Sequence, residues 1–390
     1  MQRMALHRGQ ELETYLDNNA TTKPLPEVVA AVASAMGSSF GNPSSPHSRG
    51  VEARIAMSRH AEAVSALAGA NPTNLYFTSG GTESNNWVFA SFRRRKPAPR
   101  IAVSAAEHPS VTRPAEIAAQ RGWMAVLPLT SNGLLDMEAL ASALEKGLDL
   151  VSVQWASGET GVVQPVEAIA SLCKHHGAEF HIDAAQAFGR EALRIDGCGA
   201  DYVSLSAHKV HGPQGIGALW VRDRTMLSAI IEGGGQQGGL RSGTENLPGA
   251  AGFAAACSAR QEGFHEHVAR MRRMRDVFEA VVGNAVPDAE VNGATAPRLC
   301  NTSSIRFKGV DGQALMARLD QAGILCSQTS ACSSARPAPS PTLLAMGLTE
   351  RQAWSTVRFS FSVLNSEEDA EAAASKVAVT VAELRRFMEV

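Results

Sequence analysis

The chain has 390 residues, of which 44% are hydrophobic and 19% charged, and 36 Lys and Arg against 38 Asp and Glu give a formal net charge of −2. This composition is typical of a soluble globular protein, and the near-neutral charge gives no electrostatic reason to expect nucleic acid or an anionic membrane as a partner. No apolar run approaches the ~18 residues that span a bilayer, and the N-terminus lacks the apolar stretch of a secretory signal, so we predict a cytoplasmic protein.

Between about residues 15 and 225, short apolar runs typical of strands alternate with stretches of helical periodicity. The alternation predicts an α/β protein with a mostly parallel sheet that helices cover on both faces. Ligands of such sheets bind beyond the carboxyl ends of the strands. The predicted strands are Leu75–Thr78, Ile101–Ser104, Met124–Leu127, Leu150–Trp155, Phe180–Ile182, Tyr202–Leu205 and Ala218–Val221. The predicted helices are Val51–Leu67, Pro114–Gln120, Met137–Glu145 and Val166–His175.

A Gly-rich break, GGGQQGGLRSGTEN at 233–246, precedes a long helix that we predict at Ala250–Val282. From about residue 290 the elements are typical of a smaller α+β domain. They are strands at Ser303–Phe307, Gly323–Cys326 and Thr356–Phe361 and helices at Gly312–Gln321 and Glu367–Phe387. We therefore predict a large domain at 15–260 and a small domain built from 1–14 and 261–390.

A Gly-rich turn follows the first predicted strand, where SGGTE (79–83) leads into a predicted helix. Free backbone N–H groups and the positive end of a helix dipole bind anions, and the Thr82 hydroxyl next to Gly81 adds a donor. The turn matches neither GxGxxG nor the Walker A loop, which argues against dinucleotides and ATP. On these residues alone, a phosphate site and an ordinary tight turn both stay open.

Three residues that carry chemistry follow other predicted strands. Lys209 has the side chain that forms Schiff bases with carbonyl cofactors, and Ser206 and His208 beside it can bind a phosphate. Asp183 can pair with a pyridinium nitrogen. His108 can stack on a flat ring and relay protons. Each has a structural alternative: a solvated lysine, a helix N-cap aspartate and a structural histidine.

The C-terminal region holds a long segment without predicted secondary structure, SQTSACSSARPAPSP at 327–341. Cys332 lies in it among small polar residues, where an exposed, ionised thiol can act as a nucleophile. Arg358, in a predicted strand, can bind a carboxylate through two hydrogen bonds or form a structural ion pair. We expect the other five cysteines, Cys326 among them, to be buried small hydrophobic residues. The spacing of the cysteines and histidines predicts neither a disulfide framework nor a metal site.

Together, these residue types suit pyridoxal phosphate (PLP) chemistry on a small amino acid that contains sulfur. At the same residues the chain resembles the cysteine desulfurases, the NifS/IscS-like branch of the class-V aminotransferase superfamily, which has PLP fold type I. The resemblance extends from Tyr15 to about Glu368. It is carried by YLDNNATTKP (15–24), FGNPSSPHSRG (40–50), FTSGGTESNN (77–86), EHPSV (107–111), HIDAAQ (181–186), SLSAHKVHGPQGIGALWVR (204–222), GGGQQGGLRSGTEN (233–246), SACSS (330–334) and VRFSFS (357–362).

The resemblance implies a role for each matched residue. It implies that Lys209 carries PLP as a Schiff base, that Asp183 pairs with the pyridine nitrogen, and that His108 stacks on the ring and moves protons. It also implies that Arg358 binds the carboxylate of L-cysteine and that Cys332 takes the substrate sulfur as a persulfide, so that L-alanine leaves. The persulfide then passes to a sulfur-acceptor or iron–sulfur scaffold protein. The remaining implied roles are cofactor contacts: Gln186 to the ring hydroxyl, Gly81, Thr82, Ser206 and His208 to the phosphate, and Thr244 to the phosphate of the other subunit in a homodimer.

The chain departs from the family pattern at two places. Gly158 stands where the family has the second asparagine of Asn-Asn-Glu, which contacts the ring hydroxyl and the region of the substrate carboxylate. Pro341 stands where the family has a histidine after Pro-Ser. Alternative functions are a selenocysteine lyase or another PLP-dependent carbon–sulfur lyase, or a family member with weakened catalysis that acts as a partner protein. Cys332 favours the desulfurase, because the release of selenium needs no protein thiol.

Overall fold

The structure is a computed structural model that describes residues 13–328 and 338–388 of the chain. The strands are β1 Thr14–Tyr15, β2 Leu75–Thr78, β3 Arg100–Ser104, β4 Trp123–Leu127, β5 Leu150–Gln154, β6 Glu179–Asp183, β7 Tyr202–Ser206, β8 Gly217–Val221, β9 Ala289–Val291, β10 Thr302–Phe307, β11 Ile324–Leu325 and β12 Thr356–Ser360. The helices are α1 Pro26–Gly37, α2 Ser48–Ala68, α3 Gly81–Arg95, α4 Pro109–Ala118, α5 Met137–Glu145, α6 Val166–His176, α7 Leu247–Gln261, α8 Phe264–Ala285, α9 Gly312–Gln321, α10 Pro341–Ala345, α11 Glu350–Trp354 and α12 Glu367–Met388.

Seven strands form one sheet in the order β2-β8-β7-β6-β5-β3-β4. Strand β8 is antiparallel to both of its neighbours, and the other pairs are parallel. The predicted α/β class with a mostly parallel sheet is therefore confirmed. Because β2, β3, β6 and β7 run in the same direction, the turns that follow them all lie at one edge of the sheet.

The central strands are buried on both faces, which explains why they read as continuous apolar runs. Successive residues alternate between two cores: Ala102 belongs to the larger hydrophobic cluster on one face, and Ile101 and Val103 belong to the cluster on the other face. This alternation follows from the period of two residues along a strand. The sheet is thus a rigid platform for the residues at its edge.

A second core surrounds the antiparallel sheet β12-β10-β9. Phe278 from α8 packs against Phe359 and Phe361, with ring centroids 4.7 and 5.5 Å away. The chain near its start joins this region, because β1 pairs in parallel with β11. The architecture fits a smaller α+β unit after the large sheet, and the boundaries 15–260 and 261–390 stay a prediction.

Several predicted elements need correction. The helix at Ala250–Val282 is two helices, α7 and α8, because Gly263 between them has φ 67°, a left-handed conformation that ends a helix. The helix that we placed at Pro114 begins earlier, at Pro109, which takes the first helical position favoured by proline and leaves Pro114 inside the helix. Strand β11 covers only two residues of the predicted Gly323–Cys326. Helix α1 was missed.

Four of the five cysteines that we expected to be buried are buried, and Cys326 is only partly buried. Among the residues described, no helix combines the length and the apolar character that crossing a membrane requires.

His181 lies in the middle of the large sheet, with its Nδ1 2.8 Å from Ser152 Oγ and its Nε2 3.1 Å from Ser204 Oγ. Burial lowers its pKa to about 4. Because an unfolded histidine takes up a proton near pH ~6.5, the stability contributed by neutral His181 is present above that pH and is lost as the pH falls towards the folded pKa. Between pH 7 and 5 this one residue should lower the free energy of unfolding by about 2 kcal/mol.

Urea unfolding of the wild type and of His181→Asn at pH 7 and pH 5 tests this expectation. Asparagine keeps groups that can hydrogen-bond to both serines but does not titrate. The variant should lose less stability on acidification than the wild type by about that amount. An equal loss in both proteins would show that His181 does not contribute to the acid sensitivity.

Candidate active site

The turn between β2 and α3 requires glycine at its centre. Gly80 has φ 151° and ψ 177°, a conformation that is open to glycine alone. A Cβ at Gly80 would meet no atom within 4 Å, so the requirement comes from backbone strain and not from crowding. Helix α3 starts at Gly81, where a Cβ would lie 3.8 Å from the Cβ of Ser206. The start of a 15-residue helix, with its free N–H groups, therefore lies beside the end of β7.

Lys209 lies in a 3-10 turn, Ala207–Lys209, that directly follows β7. Its Nζ donates hydrogen bonds to the backbone oxygens of Asn19 and Ala20, the second at 2.8 Å. The amine is therefore held at the edge of the sheet by a loop from the beginning of the described chain. Asn19 lies in the stretch YLDNNATTKP, for which no role was predicted.

His208 is a neutral imidazole around pH 7. Burial, with smaller contributions from the positive charges of Lys209 and Arg190, lowers its pKa to about 4. Its Nδ1 lies 3.1 Å from Thr21 Oγ1. A neutral ring carries one N–H donor and one acceptor nitrogen, so His208 can offer a hydrogen bond to a phosphate without a charge of its own.

Asp183 and His108 are joined by two side chains that sequence reasoning missed. Asp183, 8% exposed at the end of β6, accepts a hydrogen bond from Asn85 Nδ2 at 2.8 Å. Asn85 Nδ2 also donates to Ser110 Oγ at 2.9 Å, and that oxygen lies 2.7 Å from His108 Nδ1. Asn85 and Ser110 lie inside FTSGGTESNN and EHPSV, so the motifs contained the signal but not the contact.

His108 is the N-cap of α4, and its Nδ1 accepts a hydrogen bond from the backbone N–H of Ser110 at 3.1 Å. The cap keeps Nδ1 as an acceptor, so the proton of the neutral ring sits on Nε2. Because His108 is exposed, Nε2 is the ring atom that can exchange protons with a substrate. His108 can therefore cap α4 through Nδ1 and at the same time present Nε2 to a substrate.

Arg358, on β12, contacts Gly158 and Asp17. Its Nη2 donates to Asp17 Oδ1 at 2.7 Å, and its Nη1 donates to the backbone oxygen of Gly158 at 2.9 Å. Within residues 13–328 and 338–388, its buried Nε has no hydrogen-bond partner. The ion pair that we considered as an alternative is thus observed, and the binding of a substrate carboxylate stays a prediction.

A side chain at Gly158 would displace the side chain of Gln186 from its present position. A Cβ there would lie 2.9 Å from Nε2 of Gln186 and 3.2 Å from its Cδ. Gln186 is held in that place, because its Nε2 donates to Asn19 O at 3.1 Å and its Oε1 accepts from Arg190 Nη1 at 2.6 Å. Gln186 therefore occupies the space beside the missing side chain, and the departure from the family pattern has a structural compensation.

Two carboxyl groups near the site were not predicted. Glu107 accepts a hydrogen bond from the backbone N–H of Gln154 at 2.6 Å, and burial raises the pKa of Glu107 well above its ordinary value. Burial also raises the pKa of Glu159, which accepts hydrogen bonds from Ser340 and Thr342. Each lies next to a residue that we singled out, His108 or Gly158, but a glutamate in a sequence carries no sign of its burial.

Cys332 lies outside the described residues. Before it, Ser327 pairs with Arg358 through two backbone hydrogen bonds of 2.7 and 3.2 Å. Thr244 is exposed in the loop before α7. That loop is attached to the first turn of α3, because Arg241 Nε donates to Glu83 Oε1 at 2.9 Å.

The structure thus brings Gly81, Ser206, Lys209 and Asp183 to one edge of the sheet. Thr82 is an exposed residue in the first turn of α3, next to Gly81. The roles of these residues stay predictions.

Known proteins that are similar to this chain in sequence and structure belong to the family that the motifs indicate. The sequence profile of the family Aminotransferase class-V matches residues 14–373. A cysteine desulfurase of Sinorhizobium fredii is 40% identical over 375 residues, which cover 95% of this chain and 97% of that protein. The structure of a NifS-like protein from Rickettsia africae has a TM-score of 0.86 and 31% identity, and the match covers 94% of this chain and 99% of that one. The structure of SspA in complex with cysteine has a TM-score of 0.77 and 30% identity, and the match covers 90% of this chain and 99% of SspA.

These matches cover nearly the whole chain at both the sequence and the structural level. They confirm the resemblance that the motifs indicated, and with it PLP fold type I. The chain belongs to the class-V aminotransferase family, in its cysteine desulfurase branch.

Proposed function

We propose that this protein is a PLP-dependent cysteine desulfurase that removes sulfur from L-cysteine and passes it, through a persulfide on Cys332, to an acceptor protein. The observation that carries the proposal is the meeting of Lys209, Asp183 and Gly81 at one edge of the large sheet. The net reaction is balanced: L-cysteine and the Cys332 thiol give L-alanine and the Cys332 persulfide. A carbon–sulfur bond is broken, a sulfur–sulfur bond forms, and a C–H bond replaces the lost sulfur.

The turn before α3 fits the phosphate of PLP. The glycine-only conformation of Gly80 leaves open space where a side chain would otherwise lie, in front of the helix. The backbone N–H groups of Gly81 and Thr82 would hold the phosphate from this side, and Ser206 and His208 would hold it from the end of β7. A neutral His208 suits this place because it can donate a hydrogen bond to the anion.

The protein has a side chain for the pyridine nitrogen of PLP and another for its aldehyde group. Asp183, oriented by Asn85, would pair with the pyridine nitrogen, and Lys209 would bind the aldehyde carbon. Gln186 would contact the ring hydroxyl from its place beside Gly158. When bound, PLP supplies an electron sink that makes the bonds around the substrate α-carbon easier to break.

Arg358 is the residue that we propose for the carboxylate of L-cysteine. Its guanidinium is oriented by Gly158 and Asp17, and Nε is a donor without a partner in the described part of the chain. A planar guanidinium recognises a carboxylate through two parallel hydrogen bonds. The similar SspA was solved with cysteine, which supports cysteine as the class of substrate here.

His108 would move the protons. With the cap in place Nε2 carries the proton of the neutral ring, so it would act towards the substrate as a donor. Nε2 would accept a proton from the substrate or from the Cys332 thiol in the other tautomer, in which Nδ1–H donates to Ser110 Oγ, 2.7 Å away. An unperturbed thiol has a pKa of ~8.5, so a nearby base makes the nucleophilic thiolate available at neutral pH.

The length of the chain permits the thiol to reach the substrate. Cys332 follows Ser327 by five residues, so its Cα lies within about 18 Å of the Cα of Ser327. Ser327 is paired with the backbone of Arg358, where the substrate carboxylate would lie.

We also propose that the protein acts as a homodimer in which Thr244 contacts the phosphate bound by the partner subunit. The final acceptor of the sulfur would be an acceptor protein of sulfur trafficking or an iron–sulfur scaffold protein, whose thiol attacks the persulfide. The cytoplasmic location stays a prediction.

The test is product analysis. Purified protein loaded with PLP and given L-cysteine and dithiothreitol should release sulfide and L-alanine in equal amounts. Pyruvate and ammonia in place of alanine would indicate a carbon–sulfur lyase. Turnover of L-selenocysteine but not of L-cysteine would indicate a selenocysteine lyase. A PLP-loaded protein that turns over neither would support a partner protein with weakened catalysis.

A further inference from the structure

Arg190 is a buried arginine in the turn segment that follows β6, with 4% of its surface exposed. Its Nη1 donates to the backbone oxygen of Gln186 at 3.2 Å and to Oε1 of the same residue at 2.6 Å. Its Nη2 donates to the backbone oxygens of Asn18 at 3.1 Å and Lys209 at 3.2 Å. These four acceptors are uncharged, and they belong to three segments that meet at the proposed cofactor site.

Arg190 stays protonated, and therefore stays a donor, at neutral pH. Burial, with smaller effects from the positive charges of Arg260 and Arg358, lowers the pKa of Arg190 to about 10. A protonated guanidinium is planar and has five N–H donors and no acceptor. Because the group is planar, the bonds from Nη2 to Asn18 and Lys209 also fix the direction of Nη1, which is held towards Gln186.

The contact with Arg190 decides which end of the Gln186 amide faces the site. Because a guanidinium can only donate, the atom 2.6 Å from Nη1 must be the amide oxygen. The NH2 group then points away from Arg190, donates to Asn19 O at 3.1 Å, and lies 2.9 Å from where a Cβ of Gly158 would be. Asn19 takes one of the two N–H groups. The second is available to a bound molecule, because Gln186 is only partly buried.

The opposite orientation of the Gln186 amide is strongly disfavoured. It would place the NH2 group against the guanidinium of Arg190, so that two donors faced each other, and it would place Oε1 against the backbone oxygen of Asn19. A hydrogen bond to a charged group contributes more than a neutral one, so Arg190 is the stronger of the two constraints. Gln186 therefore offers the site a hydrogen-bond donor and not an acceptor.

We propose that Arg190 is a positioning residue that fixes Gln186 as a donor, so that the site binds the ring oxygen of PLP as an acceptor and in its ionised form. An ionised oxygen accepts a hydrogen bond more strongly than a hydroxyl does. The proposal rests on the proposed function for the identity of the cofactor and for the contact of Gln186 with the ring oxygen. It assigns Arg190 no contact with the cofactor or the substrate.

The test compares two ligands on the full-length protein freed of PLP. Pyridoxine 5′-phosphate has the ring oxygen, and 3-deoxypyridoxine 5′-phosphate lacks it. Neither ligand has an aldehyde group, so neither can react with Lys209. The first readout is the ratio of the two dissociation constants, measured by calorimetry. The second is the ultraviolet absorbance of bound pyridoxine 5′-phosphate at neutral pH, which distinguishes an ionised ring oxygen from a hydroxyl. The thermal midpoint shows whether each variant is folded.

The wild type should prefer pyridoxine 5′-phosphate by about tenfold to a hundredfold, as for one hydrogen bond to a charged oxygen. Arg190→Met should lower this ratio by about tenfold and reduce the ionised fraction of the bound ligand, because the Gln186 amide can then turn its oxygen to a hydroxyl. Arg190→Lys keeps a cation that donates, so it should lie between the two. If Arg190→Met does not fold, Arg190→Lys should still lower the ratio by about threefold.

The matched control is Arg260→Met, which removes a second buried arginine by the same substitution. Arg260 is 3% exposed, and its Nε donates to the backbone oxygen of Gly189 at 3.1 Å. It makes no hydrogen bond to Gln186 in the described part of the chain. The control should therefore leave the ratio of the two dissociation constants unchanged. A fall as large as in Arg190→Met would contradict the proposal, because the effect would then not depend on the contact with Gln186.

Equal weakening of both ligands in Arg190→Met, with the ratio kept, would overturn the proposal, because that result describes a structural role alone. A wild type that binds the two ligands equally well would also overturn it and would leave the proposed function intact. Failure of the proposed function has a different signature: a wild type that binds neither ligand would overturn the assignment of the cofactor, and this inference with it.

Discussion

Cys332→Ala should lower the release of sulfide from L-cysteine by at least about a thousandfold, because it removes the thiol that we propose as the nucleophile for the substrate sulfur. The variant should still bind PLP and stay yellow, since none of the residues proposed to hold the cofactor has changed. The measurement combines the absorbance of the purified protein with the initial rates of sulfide and L-alanine formation. A wild-type rate would exclude a persulfide on Cys332.

Two other variants make this result specific. Cys326→Ala removes a thiol only six residues earlier in the chain, whose pKa burial raises to about 12, so that it stays protonated at neutral pH. We expect nearly wild-type turnover from it. Lys209→Ala should lose both the yellow colour and the turnover, because it removes the amine that would bind the aldehyde. Retention of turnover without Lys209 would exclude the assignment of the cofactor site.

Gly158→Asn, which restores the residue typical of the family, should lower kcat/KM by about tenfold to a hundredfold. The sequence alone left open whether this change would raise activity. The structure favours a loss, because the new Cβ would lie 2.9 Å from Gln186 Nε2. To move away, Gln186 would have to break its hydrogen bonds with Asn19 and Arg190. Steady-state kinetics together with the affinity for PLP would measure the loss.

A double-mutant cycle identifies the cause. Gly158→Ala should be harmful by itself, and Gly158→Ala combined with Gln186→Ala should be no worse than Gln186→Ala alone, since the collision has been removed. Gly283→Ala is the matched control, because it adds the same methyl group at an exposed position of α8 with no atom within 4 Å. Simple additivity of the two changes, or a gain of activity in Gly158→Asn, would contradict this explanation.

The seven strands of the large sheet were predictable to within one residue at each end. Their apolar runs are nearly continuous because helices cover both faces, and that pattern is strong in a single sequence. The exceptions have local causes. Gly263 lies in a stretch whose periodicity continues on both sides, so only its left-handed conformation shows that α7 and α8 are separate. Pro114 resembled a helix start, but Pro109 after the capping His108 takes that place.

The sequence by itself determined the fold class, the edge of the sheet where the chemistry lies, and the residue types there, because strand ends and motifs are local features. Only the tertiary structure decided how these residues are supported: Asn85 beside Asp183, Gln186 over Gly158, and Glu159 holding Ser340. These partners lie far apart in the chain or differ from the expected pattern. Their contacts arise only when the elements pack together, and packing leaves no periodicity in the sequence from which it could be predicted.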